Sequence, residues 1–547
     1  MRRSRLPRFA QALPSALTAL LPVVLVAACS AAESPGGGVL LDGLFDEWSE
    51  AATLIDDPPD APGAAVDILS VQAVDDPEWL YLALDVGNEV ALQALPGTLR
   101  LLVDADANRS TGASLYDMNG VDLVVDLSQT ETPLTEGRGA GFAIQAVASD
   151  GSTHQVERYA LGLMASPTWA APRFELRISR AGVGDVPPFD RTLRLGAVYL
   201  EGGAVLDRTE VGSFVFDTRR SEPTGPSDIA VRLARAAGAY RVTTWNVASG
   251  SFDRHGEDFA RILGALEPDV VLLDELPGDI SVEALEAFFQ SPPLAALGNW
   301  HVVLGATGGV QRAAVAARGY ELVPAEALTS LRYPEGSLER LAGGENAADA
   351  DDFLSTEFDR GISAAGAWVT LDERRVLFVA ADLQSGGWPG SLRDRLRTLQ
   401  ATIIRAGAAE ELLRSPGPLV VGGDLNLVAS RTPLFALVRR LDADGSDLVP
   451  VDAVRLGERT LATWRNPRDL FAPGRLDFLL VPDAAMTVAN SFVFTTEDLD
   501  DATLQRLGLD RESGSRISDH LAVVADLRFG ADQGPATPPS DMSPTRN

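Results

Sequence analysis

An apolar run that ends in two glycines, an acid and an amide constrains this chain more than any other feature. Leu419–Val421 reads as a buried strand. Gly422 and Gly423 let the backbone turn tightly where side chains would clash. Asp424 and Asn426 follow at i and i+2, so on extended backbone they share one face. A buried strand that delivers such groups to its exit places a polar site on a rigid frame. The same residues also suit an ordinary strand-to-loop turn, since Gly, Asp and Asn are all turn formers.

At 547 residues the chain exceeds one ordinary domain. Its 46% hydrophobic content is enough for large cores. The formal net charge is −31, and the chain has no lysine, so its basic residues are arginines. That balance argues against broad binding to polyanions, and no stable nucleic-acid complex is expected. It leaves room for a local arginine pocket, or for a metal that inverts the local potential.

Residues 1–28 read as an address. Arg2, Arg3, Arg5 and Arg8 precede the apolar stretch 16–28, which Pro22 interrupts and which is short for a membrane span. Val26-Ala27-Ala28-Cys29 resembles the lipobox of bacterial lipoproteins. That resemblance implies lipid on Cys29, a membrane anchor and an extracytoplasmic location; a plain secretory signal is the alternative. With a single cysteine, no disulfide forms within the chain. Residues 29–38 are small and Pro/Gly-bearing, a tether.

From 39 to 217 short alternating strands are expected at 68–73, 79–86, 99–103, 121–127, 174–178 and 193–200, separated by Asp/Gly/Pro turns. This is the pattern of a β-sandwich. The opening Asp42-Gly43 through Asp46-Glu47-Trp48, Asp75-Asp76 before Trp79-Leu80-Tyr81, and Asp104-Ala105-Asp106-Ala107-Asn108 through Thr111-Gly112 together resemble the family-nine-like carbohydrate-binding module. The resemblance implies a glycan partner and a role in adhesion or spacing. Asp104, Asp106 and Asn108 alternate as calcium ligands do, or form an Asx-rich turn. Trp48 and Trp79 suit sugar platforms or a core. Residues 218–239 have linker composition, with a short helix expected over 227–237.

From 240 to 529 helices and strands alternate. Helices are expected over 257–267, 392–413 and 433–441, and strands at 240–247, 269–274, 368–371, 375–382, 475–481 and 521–527. Several neighbouring strands look hairpin-joined, so a mixed, mostly antiparallel sheet pair between helices is expected. Asn246, Glu275, Asp382, Asp424, Asn426, Asp477 and the Asp519-His520 pair all fall on or beside strands. Amides, carboxylates and one histidine suit a hard divalent metal and a proton-transfer group. Zinc is disfavoured for want of cysteine and histidine clusters.

Thr244-Trp245-Asn246, Pro268-Asp269-Val270-Val271 through Glu275, Gly423-Asp424-Leu425-Asn426, Arg475-Leu476-Asp477-Phe478 and Ser518-Asp519-His520, in this order, resemble the endonuclease/exonuclease/phosphatase superfamily. The resemblance implies a DNase-I-like α/β four-layer sandwich, two mainly antiparallel sheets flanked by helices, behind the N-terminal β-sandwich. It also implies hydrolysis of a phosphate-ester substrate with Mg2+, Mn2+ or Ca2+. Glu275 and Asn246 would hold the metal, with Asp519 nearby. Asp424 would align or deprotonate water, and Asn426 would orient Asp424 or the phosphate. His520 would contact the phosphoryl oxygen or transfer a proton, with Asp477 fixing its tautomer.

The chain departs from that pattern at Asp382-Leu383, where many members carry His-Leu; Asp382 is then a second-metal ligand or a protonated acid. Arg312 and Arg360 are candidate phosphate clamps. The stretch 326–365 reads as a long loop, and 530–547 as a disordered tail. The expected function is a metal-dependent phosphoesterase; the alternative is a catalytically silent surface-binding lipoprotein.

Overall fold

The computed structural model describes residues 39–128, 141–216, 229–248, 250–342 and 347–530. The expected signal, Cys29, the tether, residues 218–228 of the linker and the tail after Gly530 lie outside the described residues. Among the described residues, no helix is long and apolar enough to cross a membrane.

The N-terminal strands form two sheets. One runs Ala52–Asp56, Ser70–Asp75, Trp79–Val90, Ala171–Ser179, Met164–Ser166. The other runs Ala204–Arg208, Thr192–Glu201, Thr98–Asp104, Leu123–Asp126, Ala143–Val147, Thr153–Gln155, with Gly212–Val215 also on Thr192–Glu201. Their inward residues, among them Val71, Leu82, Leu84, Leu101, Val103, Ile144, Phe174 and Leu195, form one core. This is the layered β packing that the alternation predicts.

The C-terminal body is built on two six-stranded sheets. The first has the order Trp300–Leu304, Gln311–Arg318, Val270–Pro277, Tyr240–Asn246, Ala522–Phe529, Met486–Phe494. The second has the order Leu322–Pro324, Ala364–Leu371, Arg374–Ala381, Leu419–Asp424, Asp477–Val481, Val449–Pro450. Each contains one parallel pair, 240–246 with 270–277 and 374–381 with 419–424; the other pairs are antiparallel. Val242, Leu272, Val315, Phe378, Val420, Leu479 and Val523 fill the space between the sheets.

Helices cover the outer faces. Phe252–Leu266 buries Phe259, Ile262, Leu263 and Leu266 against the first sheet. Leu392–Arg414 buries Leu396, Ala401, Ile404 and Ala408 against the second. Its start is set by Ser391, whose side chain accepts a hydrogen bond from the Asp394 N–H, an N-cap.

Gly422 and Gly423 do different jobs. Gly422 lies inside its strand, and a Cβ there would meet Leu272 Cδ1 at 2.7 Å and Thr244 Cβ at 2.8 Å. The residue lets the two sheets approach rather than turning the chain. Gly423 has φ +143°, and its Cβ would lie 1.8 Å from the Ala381 carbonyl oxygen. The central strand can pass its neighbour at this level only without a side chain.

The 326–365 stretch is not a long loop. It holds Ser337–Ala342 and Ala347–Arg360, both helical, before the Ala364–Leu371 strand. Acidic composition hid the second helix, whose Leu354 is buried and whose Phe353 and Phe358 are partly covered. Trp48 is also no sugar platform. It is buried, and its indole N–H donates to Glu175 Oε1 at 2.8 Å. One face of Trp79 carries the Arg177 guanidinium, 3.8 Å from the ring centre.

The sandwich packs against the body. Arg177 forms an ion pair with Glu458 at 2.8 Å. The Ala170 N–H donates to the Ala429 carbonyl at 2.8 Å, and the Thr168 hydroxyl to the Leu427 carbonyl at 2.7 Å. Composition offered no sign of this contact, because its residues are separated by roughly the length of a domain.

Candidate active site

The ends of the two central strand pairs meet. Asn246 ends one strand in parallel register with Asp274, and Asp424 stands opposite Asp477 in the other sheet. Asp424 accepts three hydrogen bonds. Its Oδ1 takes the Asn426 backbone N–H at 2.8 Å; its Oδ2 takes the Asn426 amide at 2.8 Å and the Asn246 amide at 3.3 Å. Asn426 holds φ +50° and also donates to the Leu383 carbonyl at 2.8 Å. This left-handed residue is thereby locked by both neighbouring strand ends.

His520 faces this group. Its Nδ1 lies 2.8 Å from Asp477 Oδ2, and its Nε2 lies 3.7 Å from Asp424 Oδ2. Asp477 Oδ2 also accepts the Thr463 hydroxyl at 2.7 Å. Burial pushes the His520 imidazolium down, but Asp477 and Asp424 outweigh it and hold the ring well above its ordinary value. Asp424 is pushed up to about 8, first by burial; His520 pulls it down and Asp477 pushes it up. Ligand atoms of Asp424, Asp477 and His520 lie within 4.8 Å of one another.

Glu275 sits on a bulge where the register between its strand and Gln311–Arg318 shifts, with φ +54°. The bulge re-aims its side chain into the cavity. Glu275 and Asn426 line a cavity of about 580 Å³ with Asp382, Gln384, Ser385, Arg360 and Arg393. They also line a second, of about 420 Å³, with Asp424, Asp519 and His520. Asp519 accepts from the Trp464 indole at 3.1 Å and from the Asn466 amide at 3.0 Å. Burial first, then Glu275 and Asp424, raise Asp382 well above the usual carboxylate range.

The structure separates the two arginine candidates. Arg360 lines the first cavity, paired with Glu357 at 2.8 Å. Arg312 does not line it. Its guanidinium is taken by the Gly305 carbonyl at 2.7 Å and the Ile280 carbonyl at 2.9 Å, so its fork is already filled. Arg393, which lines both cavities, is the cation that sequence reasoning missed. Arg397 is fully buried and donates to the Gln384 and Gly386 carbonyls, fixing the loop after Asp382.

Asp274 was also missed. It is fully buried, and neither carboxylate oxygen has a hydrogen-bond partner among the described residues. Burial first, then Asp382, Asp477 and Asp424, raise it well above the usual range. An unpartnered buried carboxylate is costly unless a proton or a cation accompanies it. Hard oxygen donors suit a divalent metal; Glu275 and Asp382 line one cavity, and the Asp274 charge is felt by Asp382, Asp477 and Asp424. The continuous apolar run Val270–Leu273 before Asp274 makes it read as one more strand residue with no task.

In the sandwich, ligand atoms of Asp104, Asp106 and Asp122 lie within 4.8 Å of one another, and the Asn108 backbone N–H donates to Asp104 Oδ1 at 3.0 Å and to Asp106 Oδ1 at 2.9 Å. The Asn108 carbonyl oxygen of the side chain accepts the Ser110 N–H at 3.1 Å, and Asp104 Oδ2 pairs with Arg194 at 3.0 Å.

A sequence model described as the Endonuclease/Exonuclease/phosphatase family matches residues 243–520, just over half of the chain. The chain belongs to this family. The family's members are phosphoester hydrolases, and the paired sheets between helices are its DNase-I-like fold. The chain is similar to several solved structures. One is an endonuclease/exonuclease/phosphatase from Bacteroides vulgatus, with 16% identity over 53% of this chain and 99% of that one, TM-score 0.34. Another is the human Nocturnin catalytic domain with bound sulfate, with 17% identity over 54% and 97%, TM-score 0.33. A third is truncated Caenorhabditis elegans TDP2, with 16% identity over 55% and 100%, TM-score 0.35. No curated protein matches the chain.

Proposed function

We propose that this family member is a divalent-metal-dependent phosphoesterase, held outside the cytoplasm by lipid on Cys29. The observation that carries the reading is the convergence of Asp424, Asn426, Asp477 and His520 beside Glu275. Glu275 and Asn246 would hold Mg2+, Mn2+ or Ca2+, with Asp519 nearby; bound there, the cation would offset charge that develops on the phosphoryl oxygens. Asp424, held by three donors, aligns the attacking water and accepts its proton. Asn426 fixes Asp424. The His520 imidazolium, oriented by Asp477, faces the phosphoryl oxygen and stabilises its charge. Arg393 and Arg360 border the cavity as phosphate partners.

The test is hydrolysis of bis-p-nitrophenyl phosphate by the full chain with Mg2+. Asp424→Ala and His520→Ala each remove turnover and keep the melting temperature within a few degrees, and EDTA removes it in the unmodified protein. Turnover that survives both substitutions or EDTA refutes the reading.

Asp382 favours a second reading, since it adds a carboxylate beside Glu275 where many relatives carry histidine. The chain would then be a silent surface lipoprotein, with the family-nine-like sandwich binding a glycan or partner. A melting temperature unmoved by millimolar Mg2+ supports it, because a ligand that binds the folded state must raise stability.

A further inference from the structure

The second cavity is not made by the phosphoesterase body alone. It is lined by Asp424 and His520, by Ala91, Ala94 and Thr168 of the sandwich, and by Trp464 and Phe471 of the body. The sandwich also fixes the segments that frame it. Gln93 accepts the Ala472 N–H at 2.9 Å, the Phe142 N–H donates to the Leu470 carbonyl at 2.9 Å, and Tyr159 accepts the Asn466 N–H at 2.8 Å. Asn466 and Trp464 in turn hold Asp519. Thr168 grips Leu427, one residue past Asn426. The module is therefore tied to both loops that flank the reacting centre.

We propose that the sandwich forms one wall of the substrate cleft and selects the organic arm of the phosphoester. The arm is compact, partly apolar and without negative charge. The inference rests on the phosphoesterase reading and names its substrate class. Three observations set the class. The cavity volume of about 420 Å³ is that of a small-molecule site. Trp464 and Phe471 line it with aromatic surface from the body, and Ala91 and Ala94 with small apolar surface from the sandwich. Besides Asp424, the lining carries Asp519 next to His520 and Asp469 on the loop that bears Phe471, while Arg393 is shared with the first cavity. A second phosphate on this arm would meet carboxylates, so a polynucleotide backbone is disfavoured there.

The experiment uses the full chain with Mg2+ and two diesters that share a leaving group, p-nitrophenyl phenyl phosphate and methyl p-nitrophenyl phosphate. Ala94→Trp fills the cavity from the sandwich side. It is expected to lower kcat/KM about tenfold or more for the phenyl ester and less than about twofold for the methyl ester. Ala94→Ser, which keeps the space, should leave both near the unmodified values. Equal loss on both esters, or no loss on either, overturns the proposal.

Binding of phenylphosphonate and 4-carboxyphenylphosphonate by calorimetry needs no turnover. The neutral arm should bind about tenfold more tightly than the carboxylate arm, and Ala94→Trp should remove that preference. A carboxylate arm that binds equally well, or a preference untouched by Ala94→Trp, overturns the wall. A phosphoesterase reading that fails shows instead as absent turnover of both esters by the unmodified chain, with the phosphonate preference intact.

Discussion

His520 Nδ1 and Asp477 Oδ2 lie 2.8 Å apart, and the other Asp477 oxygen is buried without a hydrogen-bond partner among the described residues. A single Asp477 oxygen, which also accepts the Thr463 hydroxyl at 2.7 Å, therefore meets the ring. Asp477→Asn keeps the shape and removes the charge. It should lower kcat about 10- to 100-fold, the usual cost of losing an orienting carboxylate. The alkaline limb of the pH–rate profile should also move to lower pH, because the imidazolium loses the anion that holds its proton. A merely structural role for Asp477 would reduce the amount of folded protein without moving that limb.

The pH dependence has a definite sign. Asp424 is pushed up to about 8, chiefly by burial, so it carries a proton below that pH and cannot accept one from water. Turnover should rise as pH climbs through this range. It should fall again only where His520, held well above its ordinary value, gives up its proton. A divalent cation beside Asp424 stabilises the ionised form, so raising Mg2+ should move the acid limb to lower pH. Rate profiles at two magnesium concentrations check both statements.

Much of the site was legible because each residue stands at a strand end, where period and punctuation are visible together. Asp424 after two glycines and Asp519-His520 before an apolar run carry their own local signal. Asp274 and Arg393 carried none. The first continues the apolar strand by one residue, and its isolation appears only when the two sheets face each other. The second sits on a helix with Arg395 and Arg397, and sequence does not say which arginine faces the cavity. The helix over 347–360 was hidden because its acidic composition outweighed a sparse apolar stripe. The sandwich–body contact was illegible for a different reason. It is made largely by backbone groups and polar tips, whose partners no periodicity reports.

Asp274 should respond to metal more than to folding. Asp274→Asn keeps the volume and relieves like charge from Asp382, Asp477 and Asp424. Without metal the variant should melt higher than the unmodified chain. With millimolar Mg2+ its gain in melting temperature should be smaller, since a ligand stabilises by its affinity for the folded state. Thermal scans with and without Mg2+ decide this, and an unchanged magnesium increment would place Asp274 outside the metal centre.

Gly423→Ala should be among the most damaging single changes in the body. Two independent penalties meet at this position. The backbone angle of +143° is one that side chains rarely adopt, and a Cβ would lie 1.8 Å from the Ala381 carbonyl oxygen. Neither group can step aside, because the strands ending at Ala381 and Asp424 are paired in parallel and buried between sheet and helix. Gly445 is the control. It also has positive φ, +84°, but nothing lies within 4 Å of its Cβ position. Gly445→Ala therefore meets the backbone penalty alone, about 1 to 2 kcal/mol. Gly423→Ala adds a backbone clash and should exceed about 4 kcal/mol, the range reserved for a named structural conflict. Denaturant titration of both variants measures the difference. Similar losses at the two positions would mean that the Ala381 and Asp424 strands can separate, and with them the carboxylate proposed to align water.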